Sequence, residues 1–265
     1  MSVSLDHLGM QVLDVARTTG AFIRNEALAF DRGRIEQKTA FNNLVSYVDK
    51  ESERRLVDAL AKILPGSGFL AEEGTQEKGS TGFQWIIDPL DGTTNFTHGF
   101  PPFAVSIGLA FEGKLVLGVI YEVQADECFY SWTGTPVFLN GKQVHVAGTT
   151  TLEKSLLATG FPYLHADKMD THLAIIKQLL YQTHGVRRLG SAATDLAYVA
   201  CGRLDGFFEY HLSPWDVAAG GFLVRQAGGT VTDFRGGEEW LHGGQLCSGN
   251  AIHGALLEVI RAHWA

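Results

Sequence analysis

Four acidic residues, Glu72, Asp88, Asp91 and Asp216, are far apart in the sequence, and each lies beside a predicted turn or helix start. Asp88 and Asp91 follow the apolar run 85–87 and are only three residues apart. Two carboxylates on one tight turn repel each other unless a cation lies between them. Their oxygens are hard ligands, which suit Mg²⁺ or Mn²⁺ better than Zn²⁺. The acidic residues therefore predict a site for a divalent metal ion.

The segment around this turn also predicts a place for a phosphate group. Residues 85–87, with the letters WII, are typical of a buried strand. Because Pro89 cannot donate to a strand ladder, we expect the strand to stop there and both aspartates to leave the sheet at its end. Gly92, Thr93 and Thr94 then come at the expected start of a short helix, where N–H groups and hydroxyls favour a phosphate. The metal ion and the phosphate would share one corner of the fold.

Three motifs together resemble the signatures of the inositol monophosphatase family: DPLDGTTNF at 88–96, WDVAAG at 215–220 followed by QAGG at 226–229, and EEG at 72–74. Their order and spacing agree with the family over nearly the whole chain. Each motif alone has an ordinary explanation. An Asp-Pro-x-Asp-Gly stretch is a frequent surface turn, and Asp216 could be an N-cap or a first-turn carboxylate of a helix. Their joint occurrence favours the family.

The resemblance implies a set of metal ligands in this chain. Glu72, Asp88 and the backbone carbonyl of Leu90 match the ligands of a first ion, and Asp88, Asp91 and Asp216 match those of a second. Glu72 would also contact a third, weaker cation, so two to three Mg²⁺ ions are implied, with Mn²⁺ as a substitute. Two such ions can stabilise the attacking and leaving oxygens of an in-line displacement, and each lowers the pKa of bound water.

The resemblance also assigns the catalytic residues. Thr93 matches the residue that helps to activate the nucleophilic water, in partnership with Asp49, and Glu72 is the third member of this catalytic set. From the sequence pattern alone, Asp49 is equally well explained as the N-cap of a helix. Gly92 and Thr93 would donate backbone hydrogen bonds to the phosphate.

Further positions are expected to bind substrate. Asp91, Glu209 and the backbone around Ala192 match family positions that contact a sugar alcohol, although the stretch 190–193 also fits a simple helix start. Lys38 matches the lysine of a family flap near the metal and the phosphate, whereas a lone lysine is usually a solvated surface charge. These matches favour a polyol monophosphate as substrate.

Composition excludes several classes of protein. The 265 residues are 45% hydrophobic and 19% charged, which is enough for a large core in one or two subdomains. No stretch is long and apolar enough for a membrane span and no signal peptide is evident, so the expected location is the cytoplasm. The net charge is −8 and no basic stripe is present, so nucleic acid is not an expected partner. Three widely spaced cysteines suggest reduced thiols.

The pattern of apolar residues and turn signals divides the chain into two halves. The boundary between them lies between residues 146 and 147. The first half, 1–146, carries most metal ligands, and the second, 147–265, carries Asp216 and substrate contacts. Expected in the first half are a helix from about residue 5 that ends before the turn at 31–33, a helix capped by Asp49 that stops at 65–66, and antiparallel strands over 104–111, 114–121, 127–132 and 142–146. In the second half we expect strands over 155–159, 206–209 and 230–233 and helices over 167–181, 191–201, 214–226 and 252–263.

The fold class that the resemblance implies is a layered α/β protein, an αβαβα sandwich with an antiparallel N-terminal sheet and a mixed C-terminal sheet. The implied activity is Mg²⁺-dependent, lithium-sensitive hydrolysis of inositol monophosphate by a homodimer. One alternative keeps the fold and changes the substrate to a 3′-phosphoadenosine nucleotide or fructose 1,6-bisphosphate. Another is a non-enzymatic partner of the transcription machinery.

Overall fold

The structure is a computed structural model that describes residues 4–31, 33, 35–37, 44–162 and 167–264. These residues contain seven α-helices: α1 (Leu5–Leu28), α2 (Tyr47–Ile63), α3 (Thr93–His98), α4 (Met169–Gln182), α5 (Ala192–Ala200), α6 (Pro214–Gln226) and α7 (His253–His263). They also contain fifteen β-strands: β1 (Ile35–Gln37), β2 (Leu44–Ser46), β3 (Gly68–Ala71), β4 (Gln76–Glu77), β5 (Phe83–Asp91), β6 (Ala104–Phe111), β7 (Lys114–Glu122), β8 (Glu127–Trp132), β9 (Val137–Leu139), β10 (Lys142–Val144), β11 (Leu156–Thr159), β12 (Gly185–Arg187), β13 (Gly206–Tyr210), β14 (Thr230–Thr232) and β15 (Gln245–Gly249).

The strands form a large sheet, a small sheet and a separate pair. The large sheet has the order β10-β9-β8-β7-β6-β5-β3-β4, and the small sheet has the order β12-β11-β13-β15-β14. In the small sheet β11 runs parallel to β12 and β13, and the other pairs are antiparallel. β1 and β2 pair with each other in antiparallel fashion.

Helices and sheets alternate in five layers. α1 and α2 pack on one face of the large sheet, α5 and α6 lie between the two sheets, and α4 and α7 cover the outer face of the small sheet. Four clusters of buried apolar side chains fill the spaces between these layers, with Ile87 in the first, Leu223 in the second, Phe208 in the third and Ala218 in the fourth. This is the αβαβα layering that the sequence analysis expected.

The N-terminal sheet is antiparallel with one exception, the parallel pair β3 and β5. The strand β3, which has four residues and follows a turn after α2, was not expected from the sequence. After β3 the chain reverses into the edge strand β4, and β5 then enters on the other side of β3 in the same direction. The parallel pair therefore results from a hairpin at the sheet edge that the sequence pattern does not indicate.

Two local expectations about the acidic segments are wrong. β5 continues through Pro89 to Asp91, because the register with β6 shifts between Asp88 and Asp91 and this bulge tolerates a residue without a ladder N–H. The N-cap of α2 is Ser46, and Asp49 is the third helical residue, whose carboxylate accepts a hydrogen bond from the Ser46 backbone. Asp49 belongs to a capping box rather than to the cap position itself.

Most other expected elements are confirmed within one to three residues. The strands β6 and β8 and the helix α6 have the expected ends, and the turn 140–141 has two positive φ angles, 48° and 83°, as a type I′ hairpin requires. Like β3, the strands β1, β2, β4, β9, β12 and β15 were not expected. The three cysteines form no disulfide. Among the helices of the described segments, none has the length and apolar character needed to cross a bilayer.

Two glycines on neighbouring strands leave a part of the large sheet without side chains. This part of the sheet determines how closely α6 approaches the strands. Gly108 of β6 and Gly118 of β7 pair across the ladder. A Cβ atom on Gly118 would lie 2.7 Å from the backbone oxygen of Ala219, and one on Gly108 would lie 3.0 Å from the Cβ of Ala218. The two glycines therefore let the α6 backbone rest directly on the strands, and α6 carries Asp216 in its first turn.

Gly118→Val is expected to lower the free energy of unfolding by about 1–3 kcal/mol, because the added side chain must displace backbone rather than a flexible side-chain end. Urea unfolding measures the loss. Gly148→Val is the matched control, since no atom lies within 4 Å of a Cβ at that position. Equal urea midpoints for the two variants would refute the close-packing argument.

Candidate functional site

The carboxyl ends of β3 and β5 bring the first two acidic residues together. Parallel strands end at the same edge of a sheet, and here Ala71 pairs with Ile87. Glu72 follows β3 directly, and its backbone N–H donates to the carbonyl of Ile87 at 3.2 Å. Asp88 is the next residue of β5 and is only 2% exposed. The short strand β3 thus places Glu72 beside Asp88.

The bulge of β5 orients the next pair of residues. The backbone N–H of Leu90 donates to Asp88 Oδ1 at 3.0 Å. Asp91 Oδ2 accepts hydrogen bonds from the Ser191 hydroxyl at 2.6 Å and from the Ala193 backbone N–H at 2.7 Å. Asp91 is therefore held between the end of β5 and the beginning of α5.

Asp216 reaches the same region from α6. Its Oδ2 accepts a hydrogen bond from the Ser213 backbone N–H at 2.7 Å, and Pro214 occupies the first turn, as the sequence predicted. Ser106, which pairs with Asp88 across the ladder, donates from its hydroxyl to the carbonyl of Trp215 at 3.4 Å. The start of α6 is thereby tied to the strand position opposite Asp88.

The pKa values of these carboxyl groups depend on one another's charges. Burial raises the pKa of Asp88 well above its usual range, and the charges of Glu72, Asp91 and Asp216 raise this pKa further. Burial also raises the pKa of Asp216, with Asp91 and Glu72 as the next causes. The pKa of Asp91 rises to about 6, through burial and Glu72, although the Ser191 hydrogen bond opposes the change. Within the described part of the chain, no Lys or Arg is among the principal influences on these three pKa values.

The described residues hold no group of three or more His, Cys, Asp or Glu side chains that already surrounds a point where an ion could sit. The carboxylates influence one another's pKa values without forming a closed cage. Their donor chemistry nevertheless fits a hard divalent cation, because they are oxygen ligands gathered in a buried place where only an added positive charge would relieve their repulsion.

A second polar pair lies beside this cluster. The Thr93 hydroxyl lies 2.7 Å from Asp49 Oδ1 and 3.1 Å from the Leu90 carbonyl oxygen. Asp49 Oδ2 accepts from the Ser46 backbone N–H at 2.8 Å and from its hydroxyl at 2.6 Å. Burial raises the pKa of Asp49 in spite of these hydrogen bonds. The structure therefore brings together the two residues that the sequence analysis paired.

Gly92 precedes α3 with a φ of 92°, and a Cβ atom at this position would lie 3.0 Å from the Pro102 carbonyl oxygen. Glycine is thus required both by the left-handed backbone and by the lack of space. Since α3 begins at Thr93, directly after this glycine, its first N–H groups come immediately after Asp91 in the chain. The expected corner where a helix start meets the acidic residues is present.

A cavity of about 330 Å³ opens beside the acidic cluster. The described residues that line it include the expected site residues Glu72, Asp91, Ala192, Glu209 and Asp216, and also Gly160, Phe161, Pro162, Arg188, Gly190, Ser191, Asp195, His211, Leu212, Ser213 and Trp215. Lys38 lies outside the described residues.

Glu209 is a further acidic residue of this cavity. Its pKa is raised to about 8, first by burial and then by the charge of Asp91, and Arg188 opposes the change. Gly160, Arg188 and Asp195 were not among the expected site residues. Asp195 carries a usable signal, since it is an isolated acidic residue within the otherwise apolar run of α5.

Comparisons with known proteins show which family the chain belongs to. The sequence model of the inositol monophosphatase family matches residues 7–265. The chain is 45% identical to an inositol-1-monophosphatase of Mesorhizobium japonicum over 219 residues, 82% of each chain. It is 42% identical to the Nus factor SuhB of Pseudomonas aeruginosa over 257 residues, 95% of this chain and 94% of that protein.

A solved structure supports the fold assignment. The structure of the inositol monophosphatase from Anabaena superimposes with a TM-score of 0.87 at 35% sequence identity and covers 98% of both chains. This agreement confirms the layered α/β fold class that the motifs implied. By its sequence and by its fold, the chain belongs to the inositol monophosphatase family.

Proposed function

We propose that the protein is a Mg²⁺-dependent phosphomonoesterase that hydrolyses myo-inositol 1-phosphate or a similar polyol phosphate. The observation that carries this proposal is the gathering of Glu72, Asp88, Asp91 and Asp216 beside a cavity whose wall also presents Glu209. The acidic cluster suits a cation and a phosphate, and the rest of the wall suits hydroxyl groups. The inositol-1-monophosphatase name of the Mesorhizobium relative supports the same assignment.

The proposed metal ligands are Glu72, Asp88, the carbonyl of Leu90, Asp91 and Asp216, and Mn²⁺ could replace Mg²⁺ there. When bound, such cations supply charge neutralisation for the phosphoryl oxygens and acidify water. Ser191 and Ala193 donate hydrogen bonds to one oxygen of Asp91, and Ser213 donates to one oxygen of Asp216. These hydrogen bonds fix the orientation of both carboxylates.

Thr93 and Asp49 would orient the nucleophilic water, with Glu72 at its other side. Because the Thr93 hydroxyl donates to Asp49 Oδ1, the lone pairs of the Thr93 oxygen remain available to accept a hydrogen bond from water. A proton that Thr93 takes from this water would be balanced by transfer of the hydroxyl proton of Thr93 to Asp49 Oδ1. The backbone N–H groups of Gly92 and Thr93 would bind the phosphate oxygens. In this arrangement the water attacks phosphorus directly, and no covalent phosphoenzyme forms.

The lining of the cavity favours a polyol over a second phosphate. Arg188 is the single Lys or Arg among the described lining residues, whereas Asp195 and Glu209 are acidic. A bisphosphate such as fructose 1,6-bisphosphate, or a 3′-phosphoadenosine nucleotide, would bring further negative charge against these acidic groups. The hydroxyls of a polyol can instead donate to carboxylate oxygens, with Ala192 contributing its backbone and Lys38 the flap.

The experiment that tests this function is a phosphate-release panel with Mg²⁺ on myo-inositol 1-phosphate, glycerol 2-phosphate, fructose 1,6-bisphosphate and a 3′-phosphoadenosine nucleotide. We expect the highest kcat/KM for inositol 1-phosphate and complete loss of turnover with a chelator. A higher kcat/KM for either of the last two substrates would replace the polyol assignment.

Association with the transcription machinery is the second candidate function, favoured by relatives named Nus factor SuhB that match 94% or more of this chain. Pull-down from lysate compared with phosphate release separates the two candidates. Retention of a polymerase component by a chain that releases no phosphate from any substrate of the panel would favour the binding role.

Our proposal further includes a cytoplasmic homodimer, sensitive to lithium, that binds neither nucleic acid nor membranes.

A further inference from the structure

Asp195 has no role in the proposed mechanism, yet it is a buried carboxyl group on the wall of the cavity. It lies in the first turn of α5, is 1% exposed, and lines the cavity together with Glu209. Its Oδ1 has no hydrogen-bond partner in the part of the chain that the structure describes. Its backbone N–H already donates to the Ser191 carbonyl at 2.9 Å, so the backbone of the helix turn is satisfied without the side chain.

A buried polar atom without a partner is rare, because its loss of water is not compensated by a hydrogen bond. Such an atom within a protein core is usually replaced or paired. On the wall of a cavity it can be satisfied by a ligand instead. Asp195 Oδ1 is therefore an observation that points to a bound group.

Glu209 lines the same cavity as Asp195 and is held there by close packing against Gly160. A Cβ atom on Gly160 would lie 2.1 Å from Glu209 Oε2, so the Glu209 carboxylate rests directly on the Gly160 backbone. Burial raises the pKa of Asp195 well above its usual range, the charge of Glu209 is the next cause, and Arg188 opposes the change. The cavity thus presents two neighbouring carboxyl groups from different elements, α5 and β13.

We propose that Asp195 is a second substrate-binding carboxyl group, whose Oδ1 hydrogen-bonds to a hydroxyl of the substrate next to the hydroxyl that Glu209 binds. This inference rests on the proposed function and deepens it. A pair of adjacent carboxyl groups matches a pair of adjacent hydroxyls, so the site selects phosphate esters of a polyol over esters of a simple alcohol. The matched pair of probes is myo-inositol 1-phosphate and cyclohexyl phosphate, which has the same ring without the free hydroxyls.

The test compares kcat/KM for the two esters in the wild type and in Asp195→Ala. We expect the variant to lose about 10–100-fold with inositol 1-phosphate, mainly through KM, because one hydrogen bond to the substrate is lost. Cyclohexyl phosphate should change less than about twofold, since it makes no such hydrogen bond. Asp170→Ala, an exposed acidic residue in the first turn of α4, is the matched control and should leave both values unchanged.

A purely structural role for Asp195 would lower kcat/KM for both esters in parallel, and that result would overturn the inference. If Asp195→Ala does not fold, Asp195→Leu decides, because leucine has a similar shape and no hydrogen-bonding group: a changed ratio of the two kcat/KM values supports the inference, and an unchanged ratio overturns it. If the wild-type protein hydrolyses neither ester, the proposed function and this inference are both refuted. If the wild-type protein is active but the variant has the same ratio of kcat/KM values for the two esters, only this inference is refuted.

Discussion

Replacing Asp91 by asparagine is expected to lower kcat on the order of 1,000-fold, since a metal-binding carboxylate contributes several kcal/mol to the transition state. The fold should survive the change. The asparagine side chain would keep an oxygen that accepts from the Ser191 hydroxyl and the Ala193 N–H, which are the contacts that hold Asp91 in place. What the variant loses is one negative charge among four, and with it the affinity for a divalent cation.

The same variant should unfold at a higher temperature than the wild type when Mg²⁺ is absent. The folded-state pKa of Asp91 is raised from 3.8 to about 6, so the folded protein holds this proton more tightly than the unfolded chain does. The charged carboxylate therefore lowers stability as the pH rises from about 4 through 6, and the loss is complete at neutral pH. The asparagine amide carries no charge at any pH, so the variant does not lose stability in this way as the pH rises.

Thermal unfolding with and without Mg²⁺, alongside steady-state kinetics, measures both effects. The wild type should gain stability with Mg²⁺ by mass action, and the Asp91→Asn variant should gain little. Asp14→Asn, which changes an exposed acidic residue of α1, should behave as the wild type in both assays. Normal turnover of the Asp91 variant, with an unaltered Mg²⁺ requirement, would remove Asp91 from the ligand set.

The acidic turn itself could be predicted because its information is local. The strand 85–87, the helix start after Gly92 and the α6 segment with Pro214 are each specified by residues that are adjacent in sequence. The assembly of Asp88, Asp91 and Asp216 followed from the family resemblance, and their mutual pKa effects agree with it.

The remaining features depend on contacts that no local pattern carries. Glu72 is delivered by β3, a strand of four residues whose parallel pairing with β5 is set by the hairpin at the sheet edge. Gly108 and Gly118 are required by the close approach of α6, and this helix lies far from both glycines in sequence. The capping box of Ser46 and Asp49, by contrast, was visible in the spacing, and the expectation of Asp49 as the N-cap overlooked the serine three residues earlier.

Replacing Thr93 by valine is expected to lower kcat about 100-fold or more, within the range for loss of a positioned acid–base group, and to change KM little. Valine has nearly the shape of threonine, so the start of α3 should be kept. The variant cannot accept a proton from the attacking water, and Asp49 loses the hydroxyl donor that now lies 2.7 Å from its Oδ1.

Two further variants make this prediction specific. Thr93→Ser keeps the hydroxyl and should restore most of the rate. Asp49→Asn should lower kcat by a similar factor, and the double variant Thr93→Val with Asp49→Asn should be little slower than either single variant, because the two groups act as one unit. Fully multiplicative losses would show that the two side chains act separately, and the water would then be oriented by some other group. A fall in thermal stability without a fall in kcat would leave the Thr93 and Asp49 pair with a structural role only, tying the start of α2 to the start of α3.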